Sequence, residues 1–302
     1  MALLHALLNT VLPVFILAGL GWMARRLLKI EVKDPARLTM YVLTPGLIMN
    51  AILTSRMGGS EVGKVLGFAL LLCGAMILIT LLLSRLLGWN QVESSAAVLS
   101  TAFMNAANYG LPVVLLAFGQ EGFNRAAVYV VPSSLLMYSV AVFYAARGRL
   151  DWRGAVAAIF KLPLVWASAV ALAVRLLGIP VPDPVLKPIG MLANAAFVVA
   201  ILLLGMQVAQ IRLRGAGLKI SIATVLRLVI SPLVAMLFVA WLRPDPLTGK
   251  VLVLEAAMPA SVNTMLFAVE FGAEPDQVSG AVMATTVLSM LTVTFWVWFL
   301  QR

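Results

Sequence analysis

The sequence predicts an all-α polytopic membrane fold: ten transmembrane helices in two inverted repeats of five, the fourth and ninth broken and crossing at mid-membrane. Three observations predict it. Of the 302 residues, 62% are hydrophobic and only 11% charged, where soluble domains carry roughly 25% charged residues. A helical span takes about 20 apolar residues, so ten of them occupy about 200 positions and leave connections too short for a soluble domain. Finally, two apolar stretches, 102–112 and 255–264, carry amides and proline in their middles, where lipid offers no water to freed backbone groups.

The spans are expected at about 4–25, 37–55, 63–86, 94–118, 125–147, 155–177, 185–208, 217–242, 249–271 and 276–300. The first has no basic segment before it and no small-residue cleavage site after it, so it reads as a permanent span. Asp34-Pro35 introduces the second, and Gly58-Gly59-Ser60-Glu61 separates it from the third. The fourth closes on Phe118-Gly119-Gln120-Glu121, and the fifth runs into the basic connection 147–153. The Pro-rich segment 178–184 divides the sixth from the seventh, and Arg243-Pro244-Asp245-Pro246 precedes the ninth. The tenth ends in Trp296 and Trp298, residues suited to a membrane interface.

Lys and Arg concentrate in the odd-numbered connections, for example Arg25, Arg26, Lys29, Lys33 and Arg37 in the first. The positive-inside rule then puts those connections in the cytoplasm and both termini outside a cell (inner) membrane. Phe118-Gly119 and Asp34-Pro35 recur as Phe271-Gly272 and Asp183-Pro184, each about 150 residues on. Five spans per unit make the second copy upside down, which gives repeats 1–147 and 155–302 joined by a cytoplasmic loop 148–154.

The broken spans carry the chemistry. Pro112 has no N–H, so the Asn108 carbonyl loses its helical partner, and Pro259 does the same to the carbonyl of Glu255. Asn105 and Asn108, three apart, share a face of the incoming half-helix; Tyr109 and Gly110 lie between Asn108 and the proline. Ser261, Asn263 and Thr264 cap a restarting ninth helix. Such a break exposes carbonyls at one end and amides at the other, and the amide end attracts carboxylates. Paired breaks at corresponding places in two halves point to a transporter binding site; a proline that merely kinks a packed helix is the alternative. Asn50 and Asn194, at comparable places in the repeats, either face that site or hold helices together. Glu255 either couples an ion or snorkels from a shallow depth towards Lys250. Gln207 is a weaker site candidate, Glu121, Glu270 and Glu274 are interfacial, and Arg227 snorkels from near the cytoplasmic end of the eighth span.

Other classes are disfavoured. The net charge of +10 is scattered over short loops and forms no nucleic-acid-binding face. Cys73 and His5 are the only residues of their types, which removes disulfides, thiolate metal sites and His clusters. There is no phosphate-binding G-x-x-x-x-G-K-[ST] loop and no G-x-S-x-G or H-E-x-x-H motif, so no enzyme is expected. No cofactor is expected beyond a coupling proton or sodium ion, and the partners are lipid and a small organic anion.

The chain resembles the auxin efflux carrier family in its compact bacterial form. The resemblance covers essentially the whole chain and rests on Leu12-Pro13-Val14-Phe15 with Gly19-Leu20-Gly21, Thr44-Pro45-Gly46-Leu47-Ile48, Asn108-Tyr109-Gly110-Leu111-Pro112, and Met258-Pro259-Ala260-Ser261-Val262-Asn263 followed by Phe267-Ala268. It implies a fold like that of bile-acid and sodium/proton antiporter-like transporters, with a transport domain sliding against a scaffold. It implies carriage of organic anions: indole-3-acetate in plants, malate, malonate or related acids in bacteria. Asn108, Pro112, Pro259 and Asn263 carry over to the crossing, and a homodimer through scaffold helices is implied. The family includes uniport and ion-coupled transport. A membrane sensor that binds an acid without moving it, and an ion antiporter on the same fold, are the alternatives.

Overall fold

The computed structural model describes residues 2–55, 57–146, 162–211 and 217–302. The expected loop 148–154, the start of the sixth span, and Arg56, Arg147, Arg149, Arg153, Lys161, Arg212 and Arg214 lie outside them. The described residues form α1 (Leu3–Leu27), α2 (Lys33–Thr54), α3 (Gly59–Leu86), α4 (Gln91–Thr101), α5 (Ala106–Ala145), α6 (Pro163–Leu176), α7 (Asp183–Val208), α8 (Leu218–Leu242), α9 (Pro246–Ala256), α10 (Val262–Phe271) and α11 (Pro275–Gln301). Seven of these, α1, α2, α3, α5, α7, α8 and α11, are long and apolar enough to cross a membrane. Their outward faces carry large apolar side chains, Leu70 and Leu78 on α3 and Leu237 and Trp241 on α8 among them, as a lipid-facing surface requires.

Proline shapes these helices in a way the sequence reading did not foresee. Four of the five π-helical turns among the described residues, Leu7–Val11, Thr39–Leu43, Ala106–Gly110 and Leu226–Ile230, each end two residues before a proline: Pro13, Pro45, Pro112 and Pro232. In each, the residue just before the proline donates its N–H to a carbonyl five residues back, as Leu111 does to Ala106. The wider turn accommodates the proline ring without ending the helix. Pro112 therefore does not mark the break. The chain leaves helical geometry earlier, between Thr101 and Ala106, and Asn108 belongs to the outgoing helix rather than the incoming one.

Polar contacts tie neighbouring helices together at both ends of α8. At one end Arg175 donates to the carbonyls of Ile52 and Met57, Lys64 pairs with Glu61 at 2.6 Å, and Arg125 lies 3.5 Å from Asp245. Asp245 caps α9 through the amides of Leu247 and Thr248. Partial burial opposes its ionisation, but the Thr248 hydroxyl, these amides and the Arg125 guanidinium outweigh it and hold its carboxyl below the usual carboxylate range. At the other end Lys219 at the start of α8 pairs with Glu93 in the first turn of α4. Within the helix packing, α7 lies on α1 and α2, and α6 on α2. Gly21 and Gly205 set the α1–α7 distance, since a Cβ at either would strike the opposing backbone carbonyl, of Leu202 or Ala18. α3, α4, α8, α9, α10 and α11 pack together around the breaks, α1 also packs on α11, and α5 packs on α2, α3 and α9.

Candidate functional site

The two interrupted segments meet. Between α4 and α5 the chain is extended through Phe103 and Met104, and between α9 and α10 through Pro259 and Ala260. These run antiparallel as a single β-bridge, Met104 to Ala260: the Asn105 amide donates to the Pro259 carbonyl at 2.9 Å, and the Ser261 amide to Phe103 at 3.0 Å. The bridge satisfies backbone groups that neither helix can, which is the condition for irregular chain inside a membrane protein. The Ala260 amide is held in turn by the Thr285 hydroxyl of α11 at 3.1 Å.

Arg227 closes the other side of the crossing. Its Nη1 donates to the last carbonyl of α4, Thr101, at 2.7 Å; its Nη2 donates to the last carbonyl of α9, Ala256, and to Ser231. Each helix C-terminus carries about half a negative charge, so one guanidinium offsets both. The side chain is fully buried, not snorkelling as its sequence position suggested. The reason is geometric: α8 runs past the junction of α4 with α9, and the carbonyls there supply acceptors that a snorkelling Arg would seek in water.

A cavity of about 330 Å³ opens from the crossing. Asn105, Asn108, Ser261 and Asn263 line it, with Ser133, Ser134 and Tyr138 of α5 and Gln207 of α7 opposite, and Arg37 and Glu270 towards its mouth. Buried Asn105 Nδ2 and Gln207 Oε1 have no hydrogen-bond partner. Asn263 Nδ2 reaches the Tyr138 hydroxyl at 3.5 Å, and Ser261 Oγ accepts from the Asn263 amide, capping α10. The amides at the starts of α5 and α10 are those a helix leaves without an internal partner. Amide donors, hydroxyls and one guanidinium in a recess of this size suit a small acid.

Other sequence-picked residues lie elsewhere. Tyr109 is buried with its ring edge-on to Phe15 and its hydroxyl 3.0 Å from that of Ser289. Thr264 is buried and donates to the Ser261 carbonyl at 2.7 Å, a local cap. Pro112 and Pro259 shape backbone and do not line the cavity. Asn50 and Asn194 come together, but in a second cavity of about 500 Å³ with Gln120 and Asn124. That cavity sits at the end where α2 finishes and α7 begins, opposite the first. Arg37, Ser133, Ser134 and Tyr138 carried no local signal, because only tertiary packing turns them inward.

Gly110 faces Glu255. A Cβ at 110 would collide with both carboxylate oxygens, so this glycine lets the Glu255 side chain lie against α5. Glu255 is fully buried and unpartnered, which excludes pairing with Lys250 at the surface. Gly110→Ala is expected to cost about 1–3 kcal/mol through overpacking. In a double-mutant cycle with Glu255→Ala, followed by thermal unfolding in detergent, the penalty should shrink by more than about 0.5 kcal/mol; additive effects would refute the contact.

Comparison with known proteins finds relatives along nearly the whole chain. The family described as membrane transport protein matches residues 6–151 and 153–297. An uncharacterised transporter of Methanothermobacter thermautotrophicus is 28% identical over 95% of this chain and 96% of its own length. One from Methanocaldococcus jannaschii is 22% identical over 97% of this chain and 98% of its own. A protein of Rhizobium meliloti named as a candidate malonate transporter is 26% identical, covering 94% of this chain and 92% of itself. With its apolar helices and a match along nearly its whole length, the chain belongs to the membrane transport protein family, that of the auxin efflux carriers.

Proposed function

We propose that this protein is a secondary carrier of small carboxylates, of the malonate and malate class, binding them where the interrupted segments cross. The observation that carries the proposal is the bridge Met104 to Ala260, which brings Asn105, Asn108, Ser261 and Asn263 to one cavity. Two helix starts and several amide donors there complement a carboxylate. The malonate-related name of one relative points the same way.

Ten crossings account for the helices. The bend at Gly119 (φ 67°, ψ −166°) divides α5 into two arms, the first continuing α4; α9 and α10 together make one crossing, and α6 makes another. Repeats 1–147 and 155–302 then follow, and the two matched stretches of the family meet between them. The packing of α7 on α1 and α2, and of α6 on α2, supports a scaffold and a transport domain that moves as an elevator. The substrate cavity is lined by the ends of helices leading to odd-numbered connections, whose basic residues favour the cytoplasm, and Gln301 near the C-terminus meets Ala117 at the other end. The second cavity opens on that opposite end and supports access from both sides. A homodimer through the scaffold helices in an inner membrane completes the proposal.

Counterflow tests it. Proteoliposomes loaded with unlabelled malonate should accumulate labelled malonate transiently, and other small dicarboxylates should compete. Binding of malonate with no exchange would replace the carrier by a sensor; neither binding nor exchange for any mono- or dicarboxylate would end the proposal.

A further inference from the structure

We infer that Glu255 is a proton carrier, so that carboxylate crosses together with H⁺ and a pH gradient drives its accumulation; this rests on the carrier reading above. The Glu255 side chain caps nothing. It is the next-to-last residue of α9, wholly buried, and neither carboxylate oxygen has a hydrogen-bond partner. Burial strongly disfavours an ionised carboxylate in such a place unless a cation accompanies it.

No resident cation serves it. The ionisable groups grouped around this part of the core are Arg227 from α8, Tyr129 from α5 and Cys73 from α3. Both terminal nitrogens of Arg227 are engaged by Thr101, Ala256 and Ser231, its Nε donates to nothing, neither Glu255 oxygen included, and its charge is already matched by two helix C-termini. Tyr129 turns its hydroxyl to Met104 Sδ at 3.0 Å. On the remaining side, Gly110 fills the space against the carboxylate so closely that a methyl group would not fit. A divalent cation needs several oxygen ligands, and no group of three or more His, Cys, Asp and Glu side chains that could hold one occurs among the described residues. A proton needs no such shell. The carboxylate takes up one H⁺ and becomes a neutral acid, and losing it restores the anion.

The same contact links the proton to the substrate. Gly110 and Asn108 share one π-turn, with Asn108 in the cavity and Gly110 on the carboxylate. Any shift of that turn when the cavity fills or empties changes the space around Glu255. The π-turn is the mechanical element through which occupancy and protonation affect one another.

Reconstituted wild-type protein and Glu255→Gln, which imitates the protonated acid, decide the matter. Labelled malonate is supplied outside vesicles, with either an inward proton gradient or an inward sodium gradient, and a lumenal pH dye reports H⁺. For the wild type a gradient of one pH unit should raise accumulation several-fold towards the tenfold limit for one proton, acidify the lumen with uptake, and leave sodium without effect. In Glu255→Gln the dependence on the pH gradient and the acidification should disappear, while the unfolding midpoint in detergent stays near that of the wild type. If the wild type exchanges malonate yet ignores the pH gradient, or follows sodium instead, the proton assignment is overturned and the carrier reading stands. Persistent pH-driven uptake in Glu255→Gln overturns it equally. A wild type with no exchange at all refutes the carrier reading itself.

Discussion

Arg227→Gln is expected to abolish net transport and to strip the protein of much of its stability. The buried guanidinium satisfies Thr101 and Ala256 at the ends of two helices that cannot extend. A glutamine reaches less far, donates fewer hydrogen bonds and carries no charge. At least one carbonyl is then left without a partner in a water-free core, which alone costs about 1–3 kcal/mol. Removing the charge that faces two helix C-termini brings the total to about 3–5 kcal/mol, the range seen when one member of a buried charged pair is deleted. Against a total stability of about 5–15 kcal/mol this is a large fraction. Arg227→Lys keeps the charge but has a single nitrogen for two carbonyls and Ser231, so it should recover part of the stability and little of the transport. Thermal unfolding in detergent, beside counterflow in liposomes, measures both. Wild-type stability and exchange in Arg227→Gln would show that the clamp does not hold the crossing.

The second large effect falls on substrate affinity. Asn105→Ala and Asn263→Ala each delete an amide from the cavity wall without touching the backbone bridge, since Met104 to Ala260 pairs through main-chain atoms. A hydrogen bond to a charged carboxylate is worth about 1.5–3 kcal/mol, so each change should raise the KM for malonate about 10- to 100-fold. The double variant should approach the product of the two unless they share one carboxylate oxygen. Radiolabelled uptake over a wide concentration range separates KM from maximal rate. An unchanged KM in the double variant would move the substrate away from the crossing, towards the second cavity that holds Asn50 and Asn194.

Both breaks were legible in the sequence because lipid makes amides and prolines inside an apolar run conspicuous. Their placement was less so. Proline chemistry put the first break at 108–112, yet the π-turn Ala106–Gly110 accommodates Pro112, and the chain opens before Asn105 instead. Reading Pro259 as freeing the Glu255 carbonyl failed for a similar reason. That carbonyl accepts from the Met258 amide at 3.1 Å, and it is Ala256 that is left for Arg227. Four of the polar residues picked from the two segments, Asn105, Asn108, Ser261 and Asn263, line the cavity, whereas Tyr109 and Thr264 turn into packing.

Residue composition by itself determined that this chain is helical, lies in a membrane, and interrupts two of its apolar segments, because each of those outcomes follows from local solvation. Only the tertiary structure decided what the interruptions are for. Partners far apart in the chain, such as Asn105 with Pro259 and, 126 residues apart, Thr101 with Arg227, satisfy one another only when α4, α8 and α9 converge. Side-chain identity cannot specify which distant carbonyl will need a donor. That need arises when helices stop inside a solvent that supplies none.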